Sequence, residues 1–304
     1  MLLALKIEVD SLAAARDITP RLVTLLQGLD ANASFFFNLG PDRSGQADGP
    51  LFQVGETRKQ IRRNRTLGGP RGASRLYGRW LPAPQLHKAA ASAMQAIQQA
   101  GYETGLRGWD RVNWIKRIAT ADEAWVRNEL TAALHAYENL LGQPAQAIAL
   151  PGWRTSRHAM RLQQQLGLHY GSDCRGSSPF LPVVDGEPIR VPQLPTTLPT
   201  LAELTGAHEM DDLAMVDQLL ALTASPTPAG HVFTLNADAD GGKRLPLLQR
   251  LLAAWREQGQ QFASLAQLHA TLDINKLPWH SLEQRSWPGY SGMLSVQGPA
   301  FPRG

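Results

Sequence analysis

Leu2-Leu3-Ala4-Leu5-Lys6-Ile7-Glu8-Val9-Asp10-Ser11 is the stretch on which the fold turns. Side chains alternate along a strand, so Ile7 and Val9 project to one face while Glu8 and Asp10 project together to the other. The run is apolar where it starts and acidic where it ends. Two carboxylates therefore stand at the C-terminal end of a buried strand, the end at which α/β barrels build their sites. A solvated rim is the commoner explanation of such a pair, and the strand alone does not choose.

Outward from this strand, charge at Lys6 and Glu8 leaves no apolar run long enough for a signal peptide or for a membrane span of about 20 residues. The N-terminus is expected to be a strand and not a leader. Short apolar runs alternate with helical-period segments, the pattern of βα units around a parallel sheet. Strands are expected near 3–9, 33–39, 104–107, 145–150, 168–172, 190–194, 231–236 and 261–264. A helix is predicted over 121–141, opening on Thr120 and Glu123 in capping-box spacing. It carries Leu130, Leu134, Tyr137 and Leu141 on one stripe and stops at Gly142 before Pro144. A second is predicted over 243–258, burying Leu247, Leu248, Leu251, Leu252 and Trp255 and ending at Gly259. The organisation expected is an α/β fold, a distorted (β/α) barrel over 1–274. A basic insertion occupies about 51–86, and a Gly/Pro-rich tail covers 275–304.

With 304 residues, 43% of them hydrophobic, the chain has enough apolar surface for one full core. Cys174 is the sole cysteine, which excludes an internal disulfide and a Cys-cluster zinc site and fits a cytoplasmic compartment. The formal net charge of +4 favours an anionic partner. The charge is concentrated: Arg58, Lys59, Arg62, Arg63, Arg65, Arg71, Arg75 and Arg79 follow one another with no acidic residue between them, beside Tyr77 and Trp80. Solvated charge is the bland reading. The functional one is an anionic membrane surface at the inner face of the cytoplasmic membrane, to which each basic residue contributes about 1 kcal/mol. Two aromatic residues at one end are too few for base stacking, so nucleic acid is not expected.

Further blocks follow in order: Pro20-Arg21-Leu22, Ala33-Ser34-Phe35-Phe36-Phe37, Gly40-Pro41-Asp42, Gly105-Leu106-Arg107-Gly108-Trp109-Asp110 and Pro151-Gly152-Trp153-Arg154. Then come Tyr170-Gly171-Ser172-Asp173-Cys174-Arg175-Gly176, the run from Pro192 to Thr200, and Val232-Phe233-Thr234-Leu235-Asn236-Ala237-Asp238. Together with the first strand, these blocks resemble the 4-deoxy-4-formamido-L-arabinose-phosphoundecaprenol deformylases. That family is a branch of the polysaccharide deacetylases with the NodB-homology fold. The resemblance spans about residues 2 to 240 and implies a distorted (β/α) barrel that hydrolyses an N-acyl group from a lipid-linked amino sugar with a divalent metal.

The resemblance also implies a set of roles, and the residues at those positions have changed. The general-base position is Glu8, one methylene longer than the family aspartate, and the metal carboxylate is Asp10. The two metal-histidine positions fall on Arg107 and Arg111, and the late acid histidine falls on Asn236. A guanidinium has no lone pair for a metal, and an amide does not shuttle a proton at neutral pH. Supporting positions are retained: Arg154 matches the arginine that pairs with the base, Asp173 the aspartate that orients the late histidine, and Asp238 and Asp240 the acids that follow it. Trp109 and Trp153 are candidate substrate contacts. None of the eight histidines shows ligand spacing, so no metal and no other cofactor is expected.

Charge gives the replacement a logic. Two carboxylates, two neutral imidazoles and a dication sum to zero, and so do two carboxylates with two guanidinium groups. Arg107 and Arg111 are expected either to plug the site or, with one turned outward, to clamp an anion. Three functions stay open at this point. One is a degenerate deacylase that binds a polyprenyl-phosphate amino sugar or an envelope-glycolipid enzyme. The others are a metal-free N-deacylase with Glu8 as base, and a scaffold to which the cleft is irrelevant.

Overall fold

A computed structural model describes residues 1–46, 72–207, 210–225, 227–288, 290 and 292–302. Its centre is β1 (Leu2–Val9), in which Leu3, Leu5, Ile7 and Val9 are buried on one face and Ala4, Lys6 and Glu8 on the other. Burial on both faces is the mark of a parallel sheet covered by helices. One edge of β1 pairs with β8 (His231–Asn236). The other is shared between β9 (Gln261–Ala263), at Leu2–Ala4, and β2 (Ser34–Asn38), at Lys6–Val9. Beyond β2 come β3 (Glu103–Gly108), β4 (Ala147–Ile148) and β5 (Tyr170–Gly171), completing seven parallel strands. The path runs β5-β4-β3-β2-β1-β8 without joining its ends, so the architecture is an α/β half-barrel.

The two faces of the sheet differ in chemistry. On the outer face Leu5, Ile7, Phe35, Phe37, Leu106 and Ile148 pack against helices that include Thr19–Gly28, Ala91–Gln99, Glu123–Leu141 and Leu245–Glu257. Inside, Ala4, Phe36, Ala147, Ala149, Val232, Leu265 and Leu268 fill the lower half with apolar side chains. The upper half, toward the C-terminal strand ends, is polar.

The helix over Glu123–Leu141 stops as expected at Gly142, whose φ of 69° accommodates the left-handed turn. Its start differs from the expectation on Thr120. Asp122 caps the helix, its side chain accepting from Trp125 N at 2.8 Å, while Thr120 Oγ1 contacts Arg117 O. The nearer carboxylate is the better acceptor for first-turn N–H groups. The second helix runs over Leu245–Glu257 and buries the five side chains assigned to it. No strand forms at 190–194. Pro192 cannot supply a ladder N–H, and only Gln193 makes isolated bridges, to Gly171 and Phe180.

The largest difference lies in the segment read as a tail. Trp279–Ser286 and Met293–Ala300 form a hairpin, β10 and β11, which joins β6 (Leu181–Val184) and β7 (Glu187–Pro188) in a second sheet of order β11-β10-β6-β7. Leu294 and Val296 pack on Trp153. Of the basic run, Arg58, Lys59, Arg62, Arg63, Arg65 and Arg71 lie outside the described residues, whereas Arg75 and Arg79 are exposed. No helix among the described residues is long and apolar enough to cross a membrane.

Because Leu294 is wholly buried, Leu294→Ala is expected to cost about 2–5 kcal/mol, the range for emptying a packed leucine site. Urea unfolding of the variant checks this, and a solvated tail would leave the midpoint unmoved.

Candidate functional site

The polar half of the half-barrel is organised on Asp10. Asn38, at the end of β2, donates from Nδ2 to Asp10 Oδ1 at 2.6 Å. Arg107, on β3, donates from Nε to the same oxygen at 2.6 Å. Arg111 Nε lies 3.0 Å from Oδ2. Asn236, at the end of β8, donates to Oδ2 at 3.3 Å while its own Oδ1 accepts from Ala239 N and caps the short helix Ala237–Asp240. Four side chains from three different connections therefore converge on one carboxylate.

Glu8 is held one step deeper. Arg107 Nη1 lies 2.7 Å from Glu8 Oε1, so a single guanidinium bridges both carboxylates, and Nη1 also reaches Ala149 O at 3.3 Å. Lys6, two residues before Glu8 on the same face, lies 3.7 Å from it and donates to Ser172 O at 3.0 Å and to Ser172 Oγ at 3.2 Å. Burial pushes the Lys6 ammonium down to about 8, against the raising effect of Glu8. Burial also works against the charge on Arg107, but Asp10 and Glu8 outweigh it and hold the guanidinium protonated. For Asp10, burial favours the neutral acid, yet Arg107 and Arg111 bring its pKa below the ordinary carboxylate value.

Several positions carried over by resemblance act differently from the expectation. Among the described residues Glu8 pairs with Arg107 and Lys6, not with Arg154, whose Nη1 donates to Ile115 O at 2.9 Å. Asp173 does not orient residue 236. Its Oδ1 accepts from Leu150 N at 2.6 Å and its Oδ2 from Gln163 at 2.8 Å and Gln193 at 3.3 Å, so it ties loops together, and burial lifts it to about 6. Asp240 accepts from Asn236 N and pairs with Arg244 at 3.3 Å, bracing the β8 turn. Asp238 accepts from Ser11 Oγ at 2.5 Å beside the Asp10 cluster. Burial, and the nearby Asp10 charge after it, push Asp238 up to about 7.

Both tryptophans have partners within the fold. Trp109 packs against His87, with ring centroids 5.4 Å apart, and its carbonyl accepts from Gly40 N. Trp153 is buried at a φ of 49°, a conformation costing a bulky residue about 1–3 kcal/mol. Its Nε1 bond to Thr196 Oγ1 at 3.0 Å, an edge contact with Tyr290 at 5.2 Å and the packing of Leu294 and Val296 hold it there.

Sequence reading missed Lys6, Asn38, Arg175 and Tyr290. Period two along β1 could have found Lys6, and Asn38 ends the second strand as Asp10 follows the first. Arg175 is buried, pairs with Glu203 at 3.1 Å and stacks on Trp287 at 4.9 Å, contacts that run between distant segments and leave no local signal. Among the described residues no group of three or more His, Cys, Asp or Glu side chains is placed to hold a metal ion.

The half-barrel, with its polar rim at the C-terminal strand ends, has the polysaccharide deacetylase fold. It superposes on the crystal structure of a candidate polysaccharide deacetylase from Mycobacterium smegmatis with a TM-score of 0.59 at 15% identity, covering 94% of this chain and 95% of that one. No protein-family model matches the chain. Over 284 residues it is 30% identical to the probable 4-deoxy-4-formamido-L-arabinose-phosphoundecaprenol deformylase ArnD of Shewanella sediminis, covering 90% of this chain and 87% of that protein. The protein of the same description from Wigglesworthia glossinidia brevipalpis is 25% identical over 281 residues, 91% of this chain and 96% of its own. The chain belongs to this deformylase family.

Arg107 is almost wholly enclosed whereas the Arg111 side chain is 29% exposed, so the two pairs differ in weight. Arg107→Ala strands two buried carboxylates and is expected to cost about 3–5 kcal/mol. Arg111→Ala is expected to cost under about 1 kcal/mol, as for a pair at the rim. Chemical denaturation of the two variants measures the contrast.

Asp238 yields a pH dependence. Its native pKa of about 7 lies above the ordinary carboxylate value of 3.8, so the native state keeps a proton that the unfolded chain has released. The stability it contributes is full below the unfolded value and is lost as pH rises through about 7. Asp238→Asn is expected to gain stability relative to the parent across that window, read as urea midpoints at several pH values.

Proposed function

We propose that this chain is a non-hydrolysing member of its family, which binds a polyprenyl-phosphate-linked amino sugar in cell-envelope glycolipid modification without removing its acyl group. The observation that carries the reading is the Arg107 guanidinium bridging Glu8 and Asp10 at 2.7 and 2.6 Å. The relatives are described as acting on a formamido-arabinose carried by phosphoundecaprenol, and a sugar of that class is the ligand proposed here.

As a donor set for a divalent ion, the residues present do not fit. Arg107 and Arg111 offer only N–H donors, and both occupied oxygens of Asp10 already accept from guanidinium or amide groups. Two guanidinium charges supply what a dication would supply to the carboxylates, at the loss of Lewis acidity and of an activated water. Asn236 has no titrating proton to give a leaving amine and spends its carbonyl on Ala239 N. A metal-free hydrolase with Glu8 as base is less well supported, because Glu8 Oε1 faces both Arg107 and Lys6.

Convergence of residues 107 and 111 on Asp10 supports a reversal test. The parent protein is expected to hold no stoichiometric zinc, cobalt, nickel or manganese and to release no formate from a formamido-sugar polyprenyl phosphate while still binding it. The fourfold variant Glu8→Asp, Arg107→His, Arg111→His, Asn236→His is expected to bind about one equivalent of metal, measured by calorimetry and elemental analysis. One equivalent of tight metal in the parent, lost in Asp10→Ala, would overturn the reading. Failure to bind the lipid-linked sugar would leave the cleft to a protein partner.

A further inference from the structure

Asparagines end the strands on either side of β1, and the fold uses them unequally. Asn236 is engaged at both ends of its amide, donating from Nδ2 to Asp10 Oδ2 at 3.3 Å and accepting at Oδ1 from Ala239 N at 3.1 Å. Asn38 is engaged at one. Its Nδ2 donates to Asp10 Oδ1 at 2.6 Å, whereas its Oδ1 is buried and accepts from no donor among the described residues. Turning the amide over does not help, because Oδ1 would then stand against an Asp10 oxygen, acceptor to acceptor. Buried carbonyl oxygens in folded proteins rarely go without a donor. There is also room beside this one. Gly108 has a φ of 143° and no side chain, and a carbon placed where its Cβ would stand has Asn38 Oδ1 and Pro151 Cδ, both at 3.8 Å, as its nearest contacts beyond the adjoining residues.

On the other oxygen of Asp10 a donor is in the matching condition. Arg111 Nε lies 3.0 Å from Oδ2, near enough for an ion pair, yet it is buried and makes no hydrogen bond to a described residue. The Arg111 side chain as a whole is 29% exposed, so it runs between the enclosed cluster and solvent. Its starting point is fixed. Arg111 opens the helix Arg111–Arg117, which Asp110 caps by accepting from Asn113 N at 3.0 Å, and Asp110 in turn accepts from Arg43 Nε at 2.6 Å. Asp10 therefore carries on one oxygen a residue with an unused acceptor and on the other a residue with an unused donor.

Such a pair selects among ligand groups. A phosphodiester or a carboxylate offers acceptors only, which Asn38 Oδ1 cannot use. A protonated amine offers donors only and brings a second positive charge to Arg111. A secondary amide offers one N–H and one C=O, the complement of both. We propose that Asn38 and Arg111 read the acyl amide of the bound amino sugar, Asn38 Oδ1 accepting from its N–H and Arg111 donating to its carbonyl, so that the cleft holds the N-acylated sugar in preference to the free amine. The proposal rests on the reading of the cleft as a sugar site and adds the chemical form that it keeps.

Calorimetry tests it with two probes, a short-chain polyprenyl phosphate carrying 4-deoxy-4-formamido-L-arabinose, the sugar for which the relatives are named, and the same compound with a free amine. The parent is expected to bind the formamido probe about tenfold or more tightly than the amine, the scale of a buried hydrogen-bonding group left unpaired. Asn38→Leu, close to asparagine in shape, and separately Arg111→Ala are each expected to weaken the formamido probe until the two affinities agree within about threefold. The ratio is the readout, because damage to the fold lowers both affinities together. Should Asn38→Leu not fold, Arg111→Ala at the rim carries the test alone. Equal affinity of the parent for the two probes overturns the proposal and leaves the sugar-site reading standing, whereas binding of neither overturns both. A preference that survives in the variants also overturns it, and assigns Asn38 Oδ1 and Arg111 Nε to a bound water.

Discussion

Everything in the upper half-barrel answers to one electrostatic constraint: Glu8 and Asp10 leave the central strand into an interior with little water to solvate them. An unpartnered carboxylate there would take up a proton or unfold its surroundings. β2 lies between β1 and β3, roughly 10 Å of sheet at ordinary strand spacing. Arg107 crosses that gap from β3 and presents a planar fork whose Nε and Nη1 meet the two carboxylates separately. A lysine would bring a point charge to one carboxylate and leave the other short of a donor. Asn38 and Asn236 then saturate Asp10 from the strands on either side. Both oxygens of Asp10 thus accept from donors, which lets charge survive at the heart of the fold, although Asn38 Oδ1 and Arg111 Nε are left without a hydrogen-bond partner among the described residues.

The same accounting extends downward and sideways. Lys6 hangs beneath Glu8 with its ammonium on Ser172, and its ring contact with Trp153, 5.3 Å to the centroid, passes the load to the second sheet. Arg175 sits between Trp153 and Trp287 and is neutralised by Glu203, which itself accepts from Thr200 N at 2.6 Å. Tyr290, from the turn between β10 and β11, packs edge-on against Trp153, and burial pushes its phenol well above the ordinary value. The C-terminal hairpin therefore serves as a wall of the polar interior. The guanidinium groups of Arg107 and Arg111 stand at the centre of the cleft that this wall bounds.

How much of this was legible in the residues depends on the range of the interaction. The alternation in β1, the stop at Gly142 and the stripe from Leu247 to Trp255 are local patterns, and each appears in the structure where the pattern put it. The pairing of Arg107 and Arg111 with Glu8 and Asp10 was reached through charge balance at positions supplied by resemblance. The tail reading failed because a hairpin with polar faces has no strong period. It earns its order from Trp153, more than a hundred residues earlier in the chain.

By itself the sequence determined the parallel α/β class and the strand that carries the two carboxylates, because period and composition are properties of short stretches. Only the tertiary structure decided which partner each charge takes. Arg107 and not Arg154 meets Glu8, Asp173 ties loops together, and Trp153 packs beneath a hairpin. The reason is geometric. Hydrogen bonds and ion pairs are settled over a few ångströms, and the folding of distant segments alone brings those groups within that distance.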